Sequence, residues 1–193
     1  MTRDEYIKHP AISASRIKRF YTGDISYAQK ALTEGATFHF DLLEQTFEDM
    51  PPGTQNVYNA IHEVAMLGEL FDQAQHEYIA LNWLTIDGLK VQGKGMMDLC
   101  WIERGMIADV KTTSAKNIQA FASDMLKHCN HVQAVWYSLI MGFDPRQFYY
   151  IGVPPKVKKT GAFKDLYLYR HSVEEIESAT QLIINYLHNG ANG

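Results

Sequence analysis

Residues Gly95–Lys111 read GMMDLCWIERGMIADVK, and the folding of this stretch decides what the rest of the chain can be. Mostly apolar runs lie on both sides of Glu103-Arg104-Gly105, a turn signal, so the segment reads as two β-strands joined tightly. Side chains two apart on a strand share a face. Asp109 and Lys111 therefore point one way and Val110, between them, points the other. If the strands pair as the turn suggests, Asp98 on the first lies beside Asp109 on the second. Two carboxylates and an ammonium then converge. Carboxylates that close repel unless a cation lies between them, and Mg²⁺ is the hard cation they suit. The plainer reading is a salt-bridged strand pair, worth about 0–1 kcal/mol. The second strand is otherwise apolar (Met106, Ile107, Ala108, Val110), and burying charge there is costly unless it is paired or metal-bound. That tips the balance to a metal site.

Working outward, Tyr78–Leu84 reads as a strand that turns at Asp87-Gly88 into a second, Leu89–Trp101, and Met106–Lys111 is the third. Short turns make the three an antiparallel meander. Upstream, Ser13 and Ser15 are candidate caps of a short helix carrying Arg16, Lys18 and Arg19. Gly35–Phe47 reads as a helix with Phe38, Leu42 and Leu43 on one side and His39 beside that stripe. Gln55–Gln73 reads as one further helix. Downstream, Thr112-Thr113-Ser114 reads as the cap of a helix running to about Leu126. Asn130–Met141 carries Val132, Val135, Trp136, Leu139 and Ile140 at helical spacing, and Gly142 ends it. Gln147–Val153 and Ala162–Tyr169 read as strands and Glu174–Leu187 as a closing helix. The expected architecture is one α/β domain over residues 1–193, a sandwich of α+β type. Its mixed central sheet contains the meander and is flanked by helices.

Several function classes are excluded. No GxxxxGK[ST] loop, G-x-S-x-G elbow or HExxH occurs, which argues against a P-loop NTPase, an α/β-hydrolase and a zincin. Two cysteines, Cys100 and Cys129, support neither a disulfide framework nor a four-cysteine cluster. No apolar run is long enough to span a membrane, the N-terminus lacks a signal-peptide core, and a cytoplasmic location is expected. The net charge of −4 argues against a generally basic nucleic-acid-coating surface while leaving room for a local basic groove.

Gly95-Met96-Met97-Asp98 followed by Asp109-Val110-Lys111, then Gln133-Ala134-Val135-Trp136-Tyr137 as Q-x-x-x-Y, resembles the PD-(D/E)XK nuclease superfamily. The resemblance is to the branch of RecE-type exonucleases (exodeoxyribonuclease VIII) and RecB-like nuclease domains. ISASRIKRF and GATFHFDLLE resemble that branch's N-terminal segments. The similarity runs from about Ile12 to Tyr169. It implies a restriction-endonuclease-like core and metal-dependent hydrolysis of DNA, most simply 5′→3′ digestion from duplex ends in phage-type recombination. It also implies Mg²⁺ or Mn²⁺ held by Asp98, Asp109, the Val110 carbonyl and His39, with Lys111 as the catalytic cation. A further acid is expected before the first core aspartate, with Glu77 the first choice and Glu69 the second. Gln133 and Tyr137, together with Ser15 and Arg16, are implied contacts to the DNA strand. Lys156, Lys158 and Lys159, read as a basic loop beside Pro154-Pro155, are the best local cluster for phosphate contacts, with Arg16, Lys18 and Arg19 second. A homo-oligomer and a single-strand-annealing partner are expected from related systems. Two alternatives stay open: an endonuclease with the same chemistry, and a catalytically silent DNA-binding or assembly module.

Overall fold

The computed structural model describes residues 1–23 and 29–190. The chain opens with α1 (Arg3–Lys8), closed at its start by a Thr2–Glu5 capping box. It then passes through the two-residue strand β1 (Ile12–Ser13) into α2 (Ala14–Thr22), where Ser13 is the capping serine and accepts a hydrogen bond from the Arg16 amide. α3 (Gln29–Leu43), α4 (Pro52–His62) and α5 (Ala65–Gln73) follow. The meander is β2 (Gln75–Ile86), β3 (Leu89–Trp101) and β4 (Met106–Thr112). Asp87 and Gly88, both at positive φ, make its first turn, and Gly105 at φ 61° makes the second. α6 (Ile118–Lys127) and α7 (Asn130–Met141) carry the chain to β5 (Phe148–Val153). α8 (Pro155–Thr160), β6 (Tyr167–Tyr169) and α9 (Val173–Asn189) complete it.

The sheet is mixed and has six strands, in the order β1-β3-β4-β5-β6 with β2 also on β3. β3 pairs antiparallel with β2 and β4, whereas β4 and β5 are parallel across the α6–α7 connection. An apolar core lies on each face. One joins Ile17 of α2, Phe121 of α6, Trp136 of α7 and Ile183 of α9 to Met97, Ile107 and Tyr150. The other joins Leu42 of α3, Ile61 of α4 and Leu70 of α5 to Leu99, Ala108 and Val110. The expected α/β sandwich with a mixed sheet is thus the observed one. α7 seats directly on β3 because Gly93 and Gly95 lack side chains: a Cβ at either would come within 3.0 Å of the Trp136 or Tyr137 ring.

Four local expectations are corrected. Gln55–Gln73 is two helices, parted where Val64 takes an extended backbone conformation (φ −100°, ψ 102°) between the end of α4 and the start of α5. α6 begins at Ile118, capped by Asn117 and not by Thr112–Ser114. Lys156, Lys158 and Lys159 stand on a helix, α8, in place of a loop. Of Ala162–Tyr169, only Tyr167–Tyr169 is strand, preceded by a 3₁₀ turn at Phe163–Asp165. Among the described residues no helix is long and apolar enough to cross a membrane.

Candidate metal and catalytic site

The register of the meander lines up three acids. The β2–β3 ladder pairs His76 with Leu99 and Tyr78 with Met97, which leaves Glu77 opposite Asp98. The β3–β4 ladder pairs Leu99 with Ala108, and one step further along that register is Asp98 opposite Asp109. Both strands of the first pair change face at this row. Met97 and Tyr78 pack into the α7-side core, whereas Leu99 packs into the α3-side core and His76 bonds to the Leu43 and Phe71 carbonyls. Glu77 makes the switch with φ 48°, a conformation uncommon for a residue with a side chain. Between β3 and β4 the Asp98 carboxylate itself accepts a hydrogen bond from the Val110 amide, at 2.8 Å. The acids thus stand where regular pairing is interrupted.

His39 reaches this row from α3, with Nδ1 3.4 Å from Asp98 Oδ2. One ligand atom from each of His39, Glu77 and Asp98 lies within 4.8 Å of the others. Opposite ligands of an octahedral Mg²⁺ stand about 4.2 Å apart, twice the bond length, so this donor set fits a divalent cation with small adjustment. Asp109 is 2% exposed. One of its oxygens accepts from Gln133 Nε2 of α7, and the other faces Lys111 Nζ at 2.5 Å without a well-aligned hydrogen bond.

The electrostatics follow from burial and neighbours. Burial pushes the Glu77 carboxyl up, and the Asp98 charge pushes it further. Burial also acts to raise Asp98, but the His39 hydrogen bond and charge, with Lys111, carry it below the usual range. Asp109 stays above it, because burial and Asp98 outweigh the Lys111 ammonium. Burial opposes a charged His39, yet Asp98 raises its pKa overall. Glu77 also lies 3.9 Å from the exposed Arg3 guanidinium, so the three carboxylates meet His39, Lys111 and, at the rim, Arg3, and a bound cation would relieve the mutual repulsion of the acids themselves.

Lys111 also lines a pocket of roughly 800 Å³, together with Lys18, Lys158, Thr112, Thr113 and Ser114. It therefore stands between the acid row and an open concave space. The Thr112–Ser114 hydroxyls were read from sequence only as a helix cap, whereas Lys18 belongs to the second basic cluster expected on α2, and of that cluster it is the residue that lines the pocket. Ala14, Ile17, Lys18 and Tyr21 recur at i, i+3, i+4 and i+7, which puts that lysine on the inward stripe of α2.

The remaining expected site residues divide. Glu77 joins the row, within β2 and not ahead of it, whereas Glu69 is on the surface, paired with Arg104 at 3.1 Å. Gln133 is brought to the site, but its amide is engaged by Asp109. Tyr137, 7% exposed, lies under Gly95 in the core, so its ring supports β3 and offers no surface to a strand. Ser15 and Arg16 are on the exposed side of α2. Lys158 reaches the pocket, whereas Lys156 pairs with Asp165 at 3.0 Å and Lys159 is exposed away from the pocket lining. The Val110 side chain packs into the α3-side core, as the strand alternation requires.

No protein-family model and no curated protein matches the sequence. Among solved structures the chain is similar to the crystal structure of SSO0001, with a TM-score of 0.52 and 14% identity, covering 97% of this chain and 82% of that one. A likeness at that identity shows a shared fold.

Proposed function

We propose that the protein is a divalent-metal-dependent deoxyribonuclease. The observation that carries this reading is the row Glu77–Asp98–Asp109, closed by His39 at one end and by Lys111, which faces the pocket, at the other. His39, Glu77 and Asp98, with Asp109 and the Val110 carbonyl, would hold Mg²⁺ or Mn²⁺. Such an ion, when bound, polarises a phosphoryl oxygen and lowers the pKa of a water.

The chain's own groups do the rest. Gln133 holds the Asp109 carboxylate in one rotamer, so the acid is oriented before anything binds. Val110 does the same for Asp98 through its backbone amide. Lys111, salt-bridged to Asp109 and open to the pocket, is positioned to neutralise charge building on a phosphate oxygen or to orient the attacking water. The dry floor under Asp109 strengthens each of these interactions relative to water.

The resemblance to the RecE and RecB branch supports DNA as the polymer, duplex ends as the point of attack and 5′→3′ polarity. It also supports a homo-oligomer working with a single-strand-annealing partner. The test is incubation with linear and with closed-circular duplex DNA, in chelator and in Mg²⁺ or Mn²⁺. Metal-dependent loss of linear DNA with circles intact is the expected result. Nicking of circles would replace the exonuclease with an endonuclease. Inertness of folded protein toward both, in either metal, would leave a silent DNA-binding module.

A further inference from the structure

A second pocket, of about 460 Å³, forms where the C-terminal ends of α3 and α5 meet, and it shares no lining residue with the pocket beside Lys111. One ring ties the two helix ends together. His76 Nδ1 lies 2.8 Å from the Leu43 carbonyl oxygen of α3, and Nε2 lies 2.8 Å from the Phe71 carbonyl oxygen of α5. A helix C-terminus carries partial negative charge, which a lysine, arginine or histidine in the last turn commonly offsets. Neither α3 nor α5 has a basic residue in its last turn. The side chains add charge of the same sign. Glu44 and Asp72 line the pocket, and among the described residues no lysine or arginine does. Asp72 contacts His62 Nε2 at 2.9 Å and stays about half exposed, and Glu44 is exposed.

The lining is also aromatic. Phe47 and Tyr58 have centroids 5.2 Å apart at an interplanar angle of 57°, and Tyr58 meets Phe71 edge-on at 5.5 Å. Phe47 is 37% exposed, a large apolar ring open to solvent at the pocket. Ring faces attract cations. Carboxylates, helix carbonyls and rings together are the wrong surface for a phosphate and suit a guanidinium, which is planar, always charged, stacks on rings and carries five donors. Beyond the lining, Glu48 and Asp49 are exposed as well, so the negative charge extends past what one side chain covers and disfavours nucleic acid.

We propose that this pocket is a docking site for a partner protein, which inserts an arginine among Glu44, Asp72 and the Phe47 and Tyr58 rings and lays further basic residues along Glu48 and Asp49. The volume is that of a ligand pocket. Docking leaves the pocket beside Lys111 open. It engages α3 at Leu43, one turn beyond His39, and β2 at His76, one residue before Glu77. The partner is defined by its chemistry, an exposed arginine-rich segment, and its recognition does not depend on whether the acid row cuts DNA.

The experiment titrates the ¹⁵N-labelled full chain, without metal, with a short end-blocked peptide carrying two arginines. Comparison ligands are the same peptide with neutral citrulline in place of arginine, ethylguanidinium as a free cation, and a short DNA duplex. Saturable shifts of the Gln45 and Thr46 amides are expected with the arginine peptide and not with the citrulline peptide or the duplex. Ethylguanidinium should bind at least about tenfold more weakly than the peptide, because it lacks the flanking contacts. The double variant Glu44→Gln, Asp72→Asn should weaken peptide binding about tenfold, and Phe47→Ala about threefold. Lys90→Gln, on β3 outside this lining, should leave it within about twofold. All the substituted side chains are exposed, and thermal melts check that each variant is folded. Absence of saturable peptide binding, equal binding of the citrulline peptide, or unchanged binding in both folded pocket variants overturns the docking site. Ethylguanidinium binding as tightly as the peptide makes it a small-cation site, and duplex DNA shifting the same amides gives the surface to nucleic acid; either result overturns the proposal.

Discussion

At the scale of single residues, the two candidate acids upstream of the core motif make opposite predictions. Glu77 faces Asp98 and His39, whereas Glu69 is about half exposed and pairs with Arg104 on the surface. Glu77→Gln should weaken Mn²⁺ binding and cleavage at least tenfold, and Glu69→Gln should leave both within about twofold, since exposed pairs contribute little. Parallel metal titrations of the two variants check this. Gln133 gives a second prediction. Removing it with Gln133→Ala leaves a buried carboxylate oxygen without its donor, at a cost of about 1–3 kcal/mol in stability. Loss of the positioning bond should lower activity about 10–100-fold. Thermal melts together with cleavage rates separate the two effects.

At the scale of elements, the Gly95–Lys111 hairpin was legible because its turn and its flanking apolar runs agree, and the observed ladder, which ends at Leu99–Ala108, leaves Asp98 and Asp109 next in register. The register of β2 was not legible. Nothing local marks Glu77 as a residue at positive φ on a strand whose facing switches there, and only the pairing with β3 places it opposite Asp98. Tyr137 illustrates the reverse difficulty. Its spacing from Gln133 puts the two on one helical face, but that face meets Gly93 and Gly95, so α7 approaches β3 too closely for the ring to be exposed. The Arg16–Lys18–Arg19 cluster was legible as a basic stretch, and the helical period separates its members: Lys18 turns inward while Ser15, Arg16 and Arg19 turn outward.

The junction of α7 and α9 supplies a prediction about pH. The rings of His131 and His171 lie 5.8 Å apart, and His131 Nδ1 and His171 Nε2 are buried without hydrogen bonds. Glu175 accepts from Tyr169 at 2.8 Å and contacts His171 Nδ1 at 3.0 Å. The Tyr150 ring packs on His171, and Lys18 adds positive charge near His131. Burial, reinforced by His171, pushes His131 down from 6.5 to about 4, and burial also lowers His171 despite Glu175. A histidine whose folded pKa is depressed takes up protons more readily when unfolded. Its contribution to stability is therefore complete above the unfolded value near 6.5 and is lost progressively as pH falls toward about 4. Melting temperature should drop between pH 7.5 and pH 5, and His131→Asn should flatten that drop. An equal pH slope in both proteins would contradict it.

At the scale of the whole molecule, the sheet brings a helix histidine, three strand acids and a lysine together from positions 39 to 111, while the net charge stays at −4. Composition alone argued against a basic surface, and the structure confines the lysines of interest to one pocket. Because the acid row is crowded without a cation, metal should stabilise the fold as a whole. At a hundredfold excess over Kd, linkage gives about 2.7 kcal/mol, or ~5–10 °C in Tm for a chain of this size. Differential scanning calorimetry with Mn²⁺ should show that rise in the wild type, its reversal by chelator, and its loss in Asp98→Ala.

The central claim, that the row and Lys111 form a metal-dependent hydrolytic site, is tested most directly by measuring Mn²⁺ binding and DNA cleavage side by side in the wild type and Lys111→Ala. The account predicts that the variant stays folded and binds Mn²⁺ within a few-fold of wild type, while cleavage falls by at least about 100-fold, the lower end of what a positioned catalytic group contributes. A folded, metal-binding Lys111→Ala that cuts DNA at the wild-type rate would contradict it.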